Sequence, residues 1–115
     1  MSVIVPVGSG EAARAFYGEL LGLQERDVLP MLDPDRYIWY EAGGTSEIHL
    51  MLSDDRVPET KAHFCLSVRD GIEALRARLE EHGVETHDGT RIEGRLRFTC
   101  RDPFGNIVEI AQFTA

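Results

Sequence analysis

The feature that most constrains the fold of this chain is an internal repeat, in which one order of structural elements occurs twice. Shifting the first half by about sixty positions brings His49 onto Glu109 and aligns the glycines that follow the two predicted helices. Each half reads as one strand, one helix and three further strands. Because a four-stranded sheet with one helix leaves a face uncovered, we predict an α+β fold within a single domain, 1–115. Two tandem βαβββ modules, residues 1–53 and 62–115, would place their mixed sheets around a cleft.

In the first module, the β-branched run at 2–7 predicts a strand, and the apolar spacing of 11–21 predicts a helix. Ser9 is suited to cap that helix, and Gly22 lies where a C-terminal cap usually falls. Further strands are predicted at 23–32, 37–41 and 47–52, followed by a polar linker at 53–61. The strand at 23–32 is the weakest of these because Pro30 interrupts it.

The second module repeats this order. Apolar side chains at Ile72, Leu75 and Leu79 share one face of a helix predicted at 72–82, with Asp70 as its cap. The strands of this module are predicted at 63–68, 84–87, 96–100 and 107–113.

A tight turn precedes the last of these strands. Within the turn at 102–106, Pro103 presets φ and Gly105 tolerates positive φ. The apolar run at 107–113 that follows carries Glu109 in its middle. A carboxylate in such a strand is costly unless it is paired or coordinates a metal. We interpret Glu109 as a metal ligand.

Two histidines could share an ion with Glu109. His49 occupies the equivalent place in the first module, and His63 opens the second. Two imidazoles and one carboxylate suit a divalent transition metal with positions open for substrate or water. The ion would act as a Lewis acid that polarises a substrate oxygen. The alternative is that His49 and Glu109 are ordinary outward polar residues, since alternation along a strand places them opposite their apolar neighbours.

Two further side chains could line the cleft. Arg97, in the strand before the turn, is predicted to hold an anionic group of the substrate. Trp39 is predicted to form part of the apolar pocket wall. Each residue has an alternative interpretation. Arg97 could be an ordinary surface arginine, and Trp39 could pack in the core.

Composition narrows the class of partner. The formal charge of −8 argues against a nucleic-acid partner and leaves small molecules and cationic ligands open. No apolar run approaches the roughly 18–20 residues of a membrane span, and residues 1–7 lack the basic start of a signal peptide. Cys65 and Cys100 lack CxxC spacing, so free buried thiols are predicted. A cytoplasmic protein with a small-molecule substrate follows.

Four stretches of the chain resemble the vicinal oxygen chelate superfamily, which includes glyoxalase I, extradiol dioxygenases and bleomycin-resistance proteins. They are residues 15–23, 48–50, 62–68 and 101–109. The resemblance implies paired βαβββ modules, a homodimer, and a divalent metal such as Zn, Ni, Mn or Fe. By position, the ligands of the family would fall on Ser2, His49, His63 and Glu109. Ser2 departs from the His or Gln that is usual there.

Two functions are compatible with this resemblance. The first is a metal-dependent lyase, isomerase or dioxygenase acting on a small substrate with vicinal oxygens, its general base unassigned. The alternative is a metal-free small-molecule binding protein of the bleomycin-resistance type. The acidic charge and Ser2 favour the binding protein, whereas three ligand-type residues favour the enzyme. The fold alone cannot choose between them.

Overall fold

The computed structural model describes residues 2–43, 46–54 and 63–114. These residues belong to two compact units, 1–58 and 59–115. Each unit carries one open four-stranded mixed sheet, so the predicted α+β class with tandem βαβββ modules is confirmed. Most of the predicted linker at 53–61 lies outside the described residues.

The first unit begins with strand β1 and one helical segment. Helix α1 spans Gly10–Ala13 and continues as a π-helical segment, Arg14–Leu20. The strands are β1 (Ser2–Val5), β2 (Gln24–Arg26), β3 (Tyr37–Glu41) and β4 (Glu47–Leu52). Their order in the sheet is β1-β4-β3-β2, with β1 parallel to β4 and the other pairs antiparallel.

The second unit has the same arrangement. Its helix, α2, spans Ile72–Glu81. The strands are β5 (His63–Val68), β6 (Thr86–Asp88), β7 (Arg95–Arg101) and β8 (Ile107–Phe113). Their order is β5-β8-β7-β6, with β5 parallel to β8 and the other pairs antiparallel.

Alternation along β8 separates the core of the second unit from the face that carries polar groups. Val108 and Ile110 are buried, as are Leu75 and Leu79 of α2, which packs against β7 and β8. Because successive side chains of a strand point to opposite faces, Glu109 lies on the face opposite α2. The same rule applies to β7 and β5, and it brings polar side chains of three strands together.

Two local predictions are wrong. The strand expected at 23–32 covers only Gln24–Arg26, because Pro30 cannot donate to a ladder and the chain turns with Leu32 N–H donating to Leu29 O. Gly71 rather than Asp70 is the N-cap of α2, since its φ of 73° is in the left-handed region that glycine tolerates.

Two further details differ from expectation. Ser9 occupies the N-cap position of α1, but its hydroxyl donates to Pro6 O at 2.5 Å instead of accepting from the helix. Both cysteines are free as predicted, and Cys100 is buried, but Cys65 is exposed, so the prediction of a buried thiol is wrong for Cys65. No helix of the described residues is long and apolar enough to cross a membrane.

Candidate functional site

The turn before β8 positions Glu109 along its strand. The Asp102 carboxylate accepts hydrogen bonds from Phe104 N–H at 2.9 Å and Asn106 N–H at 2.8 Å. Its second oxygen accepts from the Asn106 side-chain amide at 2.8 Å. Asp102 is itself only 4% exposed, so these contacts are shielded from water. The turn thereby sets the register in which Glu109 lies opposite Thr99 of β7.

Glu109 is the centre of a cluster of four side chains, here named the Glu109 cluster: Glu109, Arg97, His63 and Cys65. Arg97 binds the carboxylate with two nitrogens, Nη2 to Oε1 at 2.9 Å and Nε to Oε2 at 3.3 Å. His63 Nε2 lies 3.2 Å from Oε1, and Cys65 Sγ lies 3.6 Å from Oε2. Glu109 is 5% exposed, so both of its oxygens depend on these partners.

The guanidinium keeps this buried carboxylate ionised. The pKa of Glu109 is lowered, first by the hydrogen bonds from Arg97 and against the opposing effect of burial. The Arg97 charge, the Cys65 thiol and His63 lower the pKa further. A bidentate arginine–carboxylate pair is among the stronger polar contacts in proteins, and here it matches the negative charge with a positive one.

Arg97 is held in place from its other side as well. Its Nη1 donates to the Thr90 carbonyl at 2.8 Å. Gly89 lies against the guanidinium so closely that a Cβ at that position would sit 2.6 Å from Cζ of Arg97. The segment after β6 therefore fits around Arg97, and only glycine at position 89 leaves the required space.

The Cys65 thiol serves in this cluster as a hydrogen-bond donor. Its pKa is raised from the ordinary value of 9.0, first by desolvation and then by the charge of Glu109. A thiol with such a pKa is protonated at neutral pH, whereas the thiolate is the nucleophilic form. Cys65 therefore supports the charge of Glu109 and lacks the activation of a nucleophile.

The first unit brings the predicted residues Trp39 and His49 together. They are register partners on β3 and β4, and their rings stack with centroids 4.0 Å apart and an interplanar angle of 12°. His49 Nε2 also lies 3.4 Å from a Glu47 oxygen. Trp39 is 7% exposed, and its indole N–H has no hydrogen-bond partner among the described residues.

The strand pairing shows which residue of the second unit is equivalent to Ser2. Position along the first strand of each unit suggests His63, but the pairing indicates Cys65. Ser2 is the register partner of His49, and Cys65 is the register partner of Glu109. His63 instead pairs with Ile107, two residues before Glu109 on the same face. Cys65 is thus the counterpart of Ser2, and sequence reasoning missed it even though it alternates in phase with His63.

The Glu109 cluster has a spacing that suits a divalent metal but a charge that does not. Two donors that bind one ion at about 2.0–2.2 Å lie about 3 Å apart, which the His63–Glu109 separation of 3.2 Å matches. Charge opposes the fit, because Arg97 already supplies a cation to both oxygens of Glu109. No group of three or more His, Cys, Asp or Glu among the described residues is arranged to hold a metal.

The Glu109 cluster as it stands fits a closed ion pair better than a metal site. His49 belongs to the other unit. The common ligand set of His49, His63 and Glu109 therefore stays a prediction, as does substrate binding by Arg97 and Trp39.

Comparison with known proteins gives a family match over nearly the whole chain. The model of the Glyoxalase/Bleomycin resistance protein/Dioxygenase superfamily matches residues 2–110. None of the curated proteins matches the chain. Among solved structures, a protein assigned to the glyoxalase family from Bacillus anthracis is 33% identical, with a TM-score of 0.87. That match covers 98% of this chain and 91% of the other.

Two more distant structures share the fold. An antibiotic binding protein from Streptomyces sp. CB03234 is 24% identical over 98% of this chain and 93% of the other, with a TM-score of 0.74. A fosfomycin resistance protein from Listeria monocytogenes is 17% identical over 98% of this chain and 87% of the other, with a TM-score of 0.76. An antibiotic binding protein and a fosfomycin resistance protein thus share this fold.

Proposed function

Since this chain belongs to the glyoxalase/bleomycin resistance protein/dioxygenase superfamily, we propose that it binds a small organic molecule without a metal cofactor. One observation carries the proposal: Arg97 neutralises Glu109, the only carboxylate in the predicted ligand set. The superfamily holds both enzymes and binding proteins, so the site and not the fold must decide.

The pairing of Glu109 argues for a metal-free protein on grounds of charge. A divalent cation at Glu109 would stand close to a guanidinium that is itself held by Thr90 and confined by Gly89. Like charges repel strongly where solvent is scarce, and Glu109 is 5% exposed. Ser2, at the remaining ligand position, offers a hydroxyl that is a poorer donor than an imidazole.

The stacked pair of Trp39 and His49 supports the binding role. Aromatic faces provide apolar contact area, and an indole N–H in a buried setting usually has a partner. The Trp39 N–H has none among the described residues, but the atom is buried, so we assign the ligand contact to the ring and not to this N–H. Trp39 as a ligand-binding residue is therefore part of this proposal.

The proposal is tested by intrinsic fluorescence, because Trp39 is the only tryptophan in the chain. Bleomycin and a panel of small organic molecules are titrated into protein with and without a chelator. We expect a saturable change in Trp39 emission with the same midpoint in both conditions. Binding that disappears with the chelator, together with bound metal in the untreated protein, would contradict the metal-free proposal.

A metal-dependent lyase, isomerase or dioxygenase is the second candidate function. It is favoured by the 3.2 Å between His63 Nε2 and Glu109 Oε1, the spacing of two donors on one ion. His49, His63 and Glu109 would hold Zn, Ni, Mn or Fe, which when bound would polarise a substrate oxygen. Arg97 would have to release Glu109. Absence of divalent metal from protein purified without chelator would exclude this candidate.

We further propose that the protein is a homodimer in solution, as the family resemblance implies. Light scattering coupled to size-exclusion chromatography gives the mass of the assembly. A mass equal to that of one chain, 12.9 kDa, would contradict the proposal.

A further inference from the structure

A surface pocket of about 510 Å³ lies beside Arg97 in the second unit. It is formed by the segment that follows β6 and by the start of β7. Its polar lining includes Thr90, Arg91, Glu93, Arg95, Arg97 and Thr114. Three arginines thus line one pocket of a chain whose formal charge is −8.

These three arginines differ in what they already bind. Arg97 is committed to Glu109 and to the Thr90 carbonyl. Neither guanidinium of Arg91 and Arg95 has a hydrogen bond or ion pair with a described residue, although Arg95 lies over the Phe113 ring at 4.7 Å. Two arginine side chains at this pocket therefore keep their hydrogen-bonding capacity.

The acidic residues of the pocket do not cancel this charge. Asp88 lines the pocket as well, but Arg76 binds it at 2.6 Å. Of the charged residues in the pocket, Arg91, Arg95 and Glu93 remain. Two positive charges and one negative charge leave a net charge of +1. Elsewhere in the described residues arginines do find carboxylates, as in the pairs Arg14–Glu25 and Arg26–Glu41.

We infer that this pocket of the second unit binds an oxyanion, a carboxylate or phosphate group, through Arg91 and Arg95. Guanidinium groups match the planar, multi-oxygen geometry of such anions, and the Thr90 and Thr114 hydroxyls can add donors. The inference rests on the proposed function, small-molecule binding, and concerns only the second unit. The sequence predicted that Arg97 binds an anionic group. We assign that role to Arg91 and Arg95 instead, because their guanidinium groups are not already paired with a carboxylate.

The subsite is tested with two probes, inorganic phosphate and acetate, each titrated at constant ionic strength into ¹⁵N-labelled protein. We expect saturable shifts in the Arg91 and Arg95 Nε–H signals and in the backbone amides of Gly89 and Gly94. A response to phosphate alone, to acetate alone or to both identifies which anion the pocket takes. Non-saturating shifts with both probes overturn the inference.

Variants separate a built site from general charge attraction. Arg91→Ala removes a side chain that is exposed and makes no described contact, and we expect it to weaken binding about tenfold or more. Arg69→Ala is the matched control, since Arg69 is also exposed and does not line the pocket. Equal weakening in both variants overturns the inference. Arg95→Gln, which removes the guanidinium and keeps a polar side chain, is expected to weaken binding as Arg91→Ala does.

This outcome is distinguishable from failure of the proposed function. Saturable anion binding that persists in chelator supports the subsite whether or not bleomycin binds. Loss of anion binding in chelator, with bound metal in the untreated protein, overturns both the metal-free proposal and the assignment of the anion to the arginines.

Discussion

Glu109 lies in a strand of apolar residues, and its neighbours determine what a carboxylate can do there. Burial alone would favour the neutral acid, but the bidentate contact from Arg97 outweighs it and lowers the pKa. His63 and Cys65 contribute smaller effects in the same direction. The carboxylate is thus ionised and already paired, which makes it a charge within a closed cluster.

The linkage between this pair and folding gives a pH-dependent prediction. The folded-state pKa of Glu109 lies below its ordinary value of 4.5, so its contribution to stability is present above that pH. The contribution is lost as the pH falls through the folded pKa. Arg97→Met removes the main cause of the lowering, so we expect its free energy of unfolding to depend less on pH in this acidic window.

Urea unfolding of both proteins between about pH 3 and 7 measures this difference. Arg69→Met removes an exposed guanidinium and serves as the control, with the pH dependence of the wild type. Identical pH profiles for the wild type and Arg97→Met would show that Arg97 does not set the charge state of Glu109.

Gly89 gives a second residue-scale prediction. A Cβ at this position would meet the Arg97 guanidinium, which Thr90 and Glu109 hold from two sides. Gly89→Ala is expected to lower the melting temperature by displacing Arg97. The cost should largely disappear in the Arg97→Met background, where the obstructing group is gone. Equal cost in both backgrounds would assign the effect to the backbone instead.

At the scale of elements, the turn at 102–106 sets the register of strand β8, which follows it. The turn closes through the Asp102 carboxylate, and β8 then runs antiparallel to β7 and parallel to β5. A one-residue change of register would move Glu109 to the α2 side of the sheet, away from Arg97.

Asp102 is therefore expected to matter for stability through the turn that it closes. Asp102→Ala leaves two backbone N–H groups without their acceptor, which should cost about 1–3 kcal/mol in the free energy of unfolding. Asp102→Asn keeps one carbonyl acceptor and should cost less. Urea denaturation measures both; an unchanged midpoint for Asp102→Ala would contradict this account of the turn.

The elements best predicted from sequence are those whose apolar and β-branched residues form clean runs. Strands β3, β4, β5 and β8 begin and end as predicted. The strand expected at 23–32 was wrong in extent because Pro30 prevents a continuous ladder. Asp70 was wrong as a cap because the chain needs a left-handed residue there, which Gly71 supplies.

For the whole molecule, the repeat was sufficient to predict the architecture, and the resemblance of its motifs to a family is confirmed. Alternation could place Arg97 and Glu109 on one face of their strands. It could not show that they pair, because the contact depends on the register of β7 with β8 and on the path of the arginine side chain. The space that Gly89 leaves has no signal in the sequence at all.

The net charge of the chain and the local charge of the pocket lined by Arg91 and Arg95 have opposite signs. The chain as a whole carries −8, which argued against a nucleic-acid partner and left small molecules and cationic ligands open. Locally, Arg91 and Arg95 line a pocket where Glu93 is the remaining acidic residue. A ligand that enters this pocket meets the local field first, so the overall charge is a poor guide to its sign.

The metal content of the native protein tests the central claim most directly. The protein is purified without chelator, and its divalent metals are quantified by inductively coupled plasma mass spectrometry per chain. Because Arg97 neutralises Glu109, we predict no stoichiometric metal in the wild type. One equivalent of Zn, Ni, Mn or Fe in the wild type that is lost in His63→Ala would contradict the account.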